Sequence, residues 1–250
     1  MAKRGKTIAA TNTGGLFSAS EVEDVSRETR WLQAARATSS CRRCEMASAN
    51  GCRGPIPGQG AFHRPWIAFL LEAPSPAENA SGLVLPADSP TGALFDRMLQ
   101  TLGIPRDKVL ALYAVSCHSP SCAPPGETLL DLCAPNWEAQ LAAAAPHVIV
   151  ACGWAATVAL LGESRALEEQ VGAWRRCMEQ EDWRYWRSVP WRAIHHPSSM
   201  VTAPRTRAET LRVLLSIGEW LERSTQGAYR IPAALRAPSP SSSPSAKTLQ

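Results

Sequence analysis

Residues 147–162 read HVIVACGWAATVALLG, and this run decides the fold. His147 to Ala151 is a short, β-branched apolar stretch suited to a buried strand. Gly153 interrupts the run, and Trp154 to Leu161 then reads as a helix stopped by Gly162. The same strand-then-helix unit recurs on both sides. Upstream, Trp66 to Leu71 (WIAFLL) is a first strand, followed by a helix over Thr91 to Leu102 with Leu94, Phe95, Met98, Leu99 and Leu102 at helical spacing. Val109 to Val115 (VLALYAV) is a second strand, followed by a helix over Glu127 to Ala145. Downstream, Trp191 to His195 (WRAIH) is a fourth strand, and Arg205 to Arg223 is a long helix with Leu211, Leu214, Leu215 and Leu221 on one side. Strands alternating with helices predict a three-layer α/β/α sandwich around a central four-stranded parallel sheet. Ligands of such sheets bind at the carboxyl ends of the strands, which singles out the loops after strands one, two and four.

The chain has 250 residues, 45% of them hydrophobic, enough to bury one sizeable core. Charged residues at 19% argue against a wholly disordered chain. The ends look looser: residues 1–19 lack periodicity, and residues 229–250 form a Pro/Ser-rich tail expected to be disordered. Between them, a helix over residues 20–37, capped by Ser20 with Glu23 three residues on, precedes a domain over 38–228. The net charge of +4 permits a nucleic-acid partner without demanding one. Lys3, Arg4 and Lys6 are followed by no apolar core, and the longest apolar run, Val148 to Leu161, is too short to span a bilayer. A cytoplasmic monomer without a membrane partner is expected, with its thiols reduced.

Eight cysteines then need an explanation. Cys41 and Cys44 form C-x2-C among polar residues after the first helix, and Cys117 and Cys133 are two more distant thiols. Four thiolates so arranged suit tetrahedral zinc or an iron–sulfur cluster, and the spacing does not separate the two. Cys52 and Cys122 also lie in loops and are alternative ligands. Cys152 and Cys177 read as small buried hydrophobes.

Together these pieces resemble the iron–sulfur (family 4) enzymes of the uracil-DNA glycosylase superfamily. Family members carry C-x2-C, a V-x-G-x-G-like element, a strand ending in G-E-A-P-G, an acidic residue before G-x-P-F, A-G-x-L-L, K-C-R-P-P, a P-x-V-I-V-x-L-G-x-x-A-x-x-L-L-G run and H-P-S/A. Here CRRC, IPGQG, LLEAPSP, Glu78, GLVL, TGALF, SCHSPSCAPP, PHVIVACGWAATVALLG and His196-Pro197-Ser198 stand in the same order. The resemblance implies a [4Fe–4S] cluster on Cys41, Cys44, Cys117 and Cys133, with zinc as the alternative, and DNA as the partner. It implies that Glu72 positions or activates water and that His196 stabilises the charge developing on a leaving base. Taken alone, Glu72 reads as a solvated loop acid and His196 as a structural histidine, with His195 leaving the register open. Ser198 and Arg205 are candidates for phosphate contacts, and Met200 or Val201 for an apolar wedge filling the gap left by a flipped base. Arg207 stands with Arg205 at the start of the last helix. Trp174, Trp183, Trp186 and Trp191, interleaved with arginines, suit either a stacking surface or a packed hairpin.

Two base-pocket positions depart from the family. Its uracil-stacking phenylalanine corresponds to Leu85, in a loop about two residues longer. Its uracil-reading asparagine, four residues before the third cysteine, corresponds to Tyr113, whose hydroxyl lacks an amide's paired donor and acceptor. The expectation is therefore a monofunctional DNA glycosylase acting on a modified pyrimidine or another base rather than strictly uracil, such as those in some phage DNA, which would suit a defence role. The alternatives are an ordinary uracil-DNA glycosylase of base-excision repair, a catalytically silent iron–sulfur DNA-binding module, and a zinc-bound interaction domain.

Overall fold

The computed structural model describes residues 18–173 and 189–236. In chain order the elements are α1 (Ala19–Ser39), β1 (Gln59–Gly60), β2 (Ile67–Leu71), α2 (Pro76–Ser81), α3 (Pro90–Leu102), β3 (Val109–Tyr113), α4 (Glu127–Ala144), β4 (Val148–Cys152), α5 (Trp154–Leu161), α6 (Leu167–Gln170), β5 (Trp191–Ile194), α7 (Pro197–Thr202) and α8 (Pro204–Ser224). The sheet runs β1-β3-β2-β4-β5. Four strands are parallel, as the alternation predicts, and the two-residue β1 adds an antiparallel fifth on the edge of β3.

Both faces of the sheet are covered, which is why its central strands β2, β3 and β4 are apolar and buried along their whole length. Ala68, Leu70, Leu110, Leu112, Ile149, Ala151 and Ala193 point to one side, where Trp137 and Leu141 of α4 and Ala155 and Ala156 of α5 meet them. The alternate residues, Ile67, Phe69, Leu71, Val109, Ala111, Val148 and Val150, point to the other, against Phe95 and Leu99 of α3 and Leu214 and Ile217 of α8. The three-layer α/β/α sandwich is thus written in the period-two pleat of each strand.

Three details differ from the sequence reading. The capping box of α1 is Ser18 with Glu21, not Ser20 with Glu23: the Ser18 amide reaches the Glu21 carboxylate at 2.7 Å, and Glu23 instead pairs with Arg27 at 2.8 Å. α1 is also a working part of the domain, for Trp31 is buried and Gln140 of α4 joins the Thr38 hydroxyl to the Gly58 amide. Residues 229–236, assigned above to the tail, help close the core. Tyr229 is buried, and its hydroxyl donates to the Leu102 carbonyl at 2.8 Å, while Ile231 packs on the same cluster.

The strand order has a physical consequence. From β2 the chain moves outward to β3, then returns to lay β4 and β5 on the other side. The crevice between the carboxyl ends of β2 and β4 is the topological switch point, where neighbouring connections diverge and leave room for a ligand.

Candidate active site

Glu72 is the first residue past β2 and enters that crevice. Its Oε1 accepts the Ala155 amide of α5 at 3.0 Å, so a helix N-terminus fixes the carboxylate. Gly153 makes the approach feasible: a Cβ there would lie 2.6 Å from Glu72 Oε1, and the residue has a φ of +94°, which side-chain-bearing residues rarely adopt. Gly153, read from sequence only as an interruption, is thus a requirement of the site.

Glu72 borders a cavity of about 300 Å³ shared with Glu78, Thr91, His118, His196 and Ser198. Three helices begin at its rim, α2 at Ser75, α3 at Ser89 and α7 at His196, and their N-termini favour negative charge nearby. A roomier apolar groove of about 440 Å³ lies between α3 and α8, but its titratable side chains are only Arg97 and Arg207. Arg207 is engaged by the Met200 and Val201 carbonyls at the end of α7.

The structure resolves the histidine register. His195 turns to α8, with Nε2 2.7 Å from a Glu209 oxygen, whereas His196 faces the cavity. The Ser198 amide donates to His196 Nδ1 at 3.2 Å, and the Ser198 hydroxyl lies 2.7 Å from the same atom. An amide N–H cannot accept, so Nδ1 is the unprotonated nitrogen and Nε2 carries the proton. Burial lowers the pKa of His196 against the opposing pull of Glu72 and Glu78, which keeps the ring neutral near pH 7. The cavity therefore meets a neutral N–H donor.

The remaining site candidates fall in several places. Ser198 uses its amide and hydroxyl to set the His196 tautomer. Met200 is 2% exposed, too enclosed to enter a duplex, whereas its neighbour Val201 is 39% exposed. Arg205 lies exposed in the first turn of α8. Leu85 and Tyr113 are both buried in the core beneath the cavity. Leu85 sits at φ +48°, held by Glu78 Oε1 on its amide at 3.0 Å and by Arg106 on its carbonyl at 2.8 Å. The longer loop thereby sends this side chain inward. The buried Tyr113 hydroxyl makes no hydrogen bond of normal geometry, and burial together with the charge of Glu78 raises its pKa. Trp174, Trp183, Trp186 and Cys177 lie outside the described residues.

Cys41, Cys44, Cys117 and Cys133 are free thiols gathered in one locale, where each of the two buried members, Cys117 and Cys133, is repelled by others of the set. Burial, then repulsion by Cys52 and after it by Cys133 and Cys44, raise the pKa of Cys117, and burial chiefly pushes Cys133 up to about 11. At Cys41 burial acts upward, but the Arg43 amide, Asn136 and the Arg43 charge outweigh it and leave the thiol lowered. Crowded thiols that resist ionisation suit a cationic group that binds them as thiolates. Among the described residues no three His, Cys, Asp or Glu side chains converge as a single-ion site. Four cysteine thiols in one locale are a donor set of the kind that a [4Fe–4S] cluster or tetrahedral zinc takes. Cys52 stands beside Cys117, whereas Cys122 is exposed on the cavity rim and Cys152 is buried under Glu72.

Residues 57–216 match the family model described as the uracil DNA glycosylase superfamily. The type-4 uracil-DNA glycosylase of Archaeoglobus fulgidus is 28% identical over 188 residues, which cover 74% of this chain and 89% of that protein. The type-4 uracil-DNA glycosylase of Sulfurisphaera tokodaii is 30% identical over 115 residues, 46% of this chain and 50% of the relative. That of Saccharolobus solfataricus is 27% identical over 133 residues, 53% of this chain and 59% of the relative.

Proposed function

The chain belongs to the uracil-DNA glycosylase superfamily, and from that premise we propose how it works as a DNA N-glycosylase: it takes a flipped pyrimidine nucleotide into the cavity between β2 and β4 and hydrolyses its N-glycosidic bond. The observation that carries this reading is the convergence of a helix-held carboxylate, Glu72, and a neutral N–H donor, His196, on one cavity. Glu72 directs a water at the sugar's anomeric carbon and offsets the positive charge that develops there. The carbon–nitrogen bond breaks with its electron pair going to the base, and His196 Nε2–H hydrogen-bonds the base oxygen that gathers the charge. The water oxygen bonds to the sugar carbon, and its proton passes to Glu72. The products are a free base and an abasic site.

The described residues contain one lysine, Lys108, next to the amino end of β3 and so at the far end of the sheet from the cavity. With no amine at the sugar among the described residues, the reading is of a monofunctional enzyme whose chemistry stops at hydrolysis. Cys41, Cys44, Cys117 and Cys133 are the ligands for a [4Fe–4S] cluster. When bound, the cluster contributes structural cross-linking of the loop after α1 to the start and first turns of the β3–α4 segment.

The withdrawal of Leu85 and Tyr113 into the core supports a target other than strictly uracil, a modified pyrimidine among them. Val201, exposed at the end of α7, is placed to fill the stack behind the flipped nucleotide, with Arg205 on the adjacent phosphates. A panel of duplexes carrying uracil, thymine, cytosine and their 5-hydroxymethyl and glucosylated forms tests the reading, with abasic sites scored by alkaline strand cleavage. The reading predicts cleavage of a modified pyrimidine, and efficient cleavage of uracil alone would return the enzyme to ordinary base-excision repair.

A further inference from the structure

We propose that His118 is a base-reading residue whose Nε2 takes a hydrogen bond from an N–H on the Watson–Crick edge of the flipped pyrimidine; this rests on the glycosylase reading above. His118 lies just past Cys117, where the chain leaves the β3 side of the sheet. It is 7% exposed and lines the cavity with Glu72, Glu78 and His196.

Its Nδ1 lies 2.8 Å from the Pro74 carbonyl oxygen. A carbonyl only accepts, so Nδ1 carries a proton, and this contact selects the tautomer whose lone pair is on Nε2. Among the described residues nothing hydrogen-bonds that atom. His196 is fixed the other way, because the Ser198 amide occupies its Nδ1 and the proton sits on Nε2. The cavity thus meets one histidine as a donor and one as an acceptor. They come from the β5 and β3 ends of the sheet, on either side of Glu72 at the end of β2.

This pairing divides the work on a pyrimidine. Every pyrimidine nucleobase carries O2 beside its glycosidic nitrogen, so the His196 donor engages O2 without distinguishing bases. With O2 held there, the rest of the Watson–Crick edge faces the opposite wall. Uracil and its 5-substituted forms offer N3–H, whereas cytosine and its derivatives offer an N3 lone pair and a 4-amino group. An acceptor on that wall tells the two classes apart, because the mismatched base sets lone pair against lone pair. The Glu78 oxygens receive the Ser75 amide at 2.7 Å and the Leu85 amide at 3.0 Å, which fixes that carboxylate in place beside His118. His118 therefore does the reading that the buried Tyr113 does not.

The test uses the full chain with its cluster, as parent and as His118→Phe, His118→Leu and His118→Asn. Each is assayed for kcat and KM on matched duplexes: uracil against cytosine, and 5-hydroxymethyluracil against 5-hydroxymethylcytosine. Thermal midpoint and visible cluster absorbance establish that each variant is folded and loaded, and two apolar variants are included so that one misfolded protein does not decide the matter. The parent is expected to prefer one member of each pair. Phe or Leu should lower kcat/KM on the preferred base about 30- to 100-fold, mainly through KM, and on the other base less than about 3-fold. Asn, which keeps a carbonyl acceptor, should recover to within about 10-fold of the parent. Preference for the uracil member identifies N3–H as the donor, and preference for the cytosine member identifies the 4-amino group. An equal loss on both bases, or no loss, overturns the role of His118 and leaves the glycosylase intact. A parent inactive on every duplex removes the glycosylase reading itself, and His118 as a reader with it.

Discussion

The two walls of the cavity are built differently. On one, Glu72 and His196 are each held by a backbone amide at a helix start, from Ala155 and from Ser198; Glu72 follows β2 directly and His196 lies two residues past β5. On the other, Leu85 and Tyr113 lie in the core, and the surface is made by Glu78 of α2 and by His118 from the loop after β3. The first wall carries charge and protons to the glycosidic bond, a task common to any pyrimidine. The second meets the base, and here the chain departs from the family it resembles. On the proposed function, the first wall holds the chemistry and the second the choice of base.

Substitutions on the first wall should stop chemistry on every base. Glu72→Gln is expected to cut abasic-site formation by about 1,000-fold or more while leaving DNA affinity within about 3-fold, measured by single-turnover cleavage and by fluorescence anisotropy. Loss of DNA binding in the same variant would move Glu72 from catalysis to structure. His196→Gln should cost about 100-fold in kcat, with KM little changed.

The His196 pKa is lowered by burial, so the unfolded chain binds the proton more readily than the folded one. The stability this group contributes is complete above its ordinary value of 6.5 and is lost as pH falls below it, toward the folded-state value. Denaturant titrations of the parent and His196→Gln at pH 5 and pH 8 should show a smaller fall in the variant.

Gly153→Ala reaches the first wall from behind. The new Cβ meets Glu72, and φ of +94° is unfavourable to alanine, so about 10-fold or more in kcat and about 1–3 kcal/mol of stability are expected to go together. Unchanged kcat would mean that Glu72 does not need its present seat. Cys117→Ser sharpens the contrast from the second wall, because Cys117 adjoins His118. The purified variant should lose iron and labile sulfide, and its thermal midpoint should fall by roughly 5 °C or more. The smallest effect belongs to Tyr113→Phe. Removing a buried hydroxyl that makes no good hydrogen bond should leave stability unchanged or raise it by about 1 kcal/mol or less, with base preference within about 3-fold of the parent.

What the sequence made legible follows the same division. The strands on both sides of HVIVACGW are apolar because helices cover both faces, so their composition alone announced a parallel sheet. Glu72 and His196 sit at strand ends, where the chain path leaves little freedom, and their neighbours in sequence fixed their places. The edge strand β1 has no sequence signature because two residues carry no period, and Ser20 with Glu23 offers the same spacing as the actual cap of α1, Ser18 with Glu21. Met200 and Val201 are adjacent, and only the turn of α7 decides which one is exposed. The inward turn of Leu85 depends on a positive φ held by Glu78 and Arg106, contacts 7 and 21 residues away along the chain. His118 follows Cys117 in sequence, but its meaning rests on the Pro74 carbonyl, 44 residues distant.

The most direct test of the central claim is single-turnover formation of abasic sites by the cluster-loaded protein on the pyrimidine duplex panel, run beside Glu72→Gln. Abasic product on at least one pyrimidine, abolished in the variant while DNA binding persists, is the predicted result. No product on any duplex, or product that survives Glu72→Gln, would contradict it.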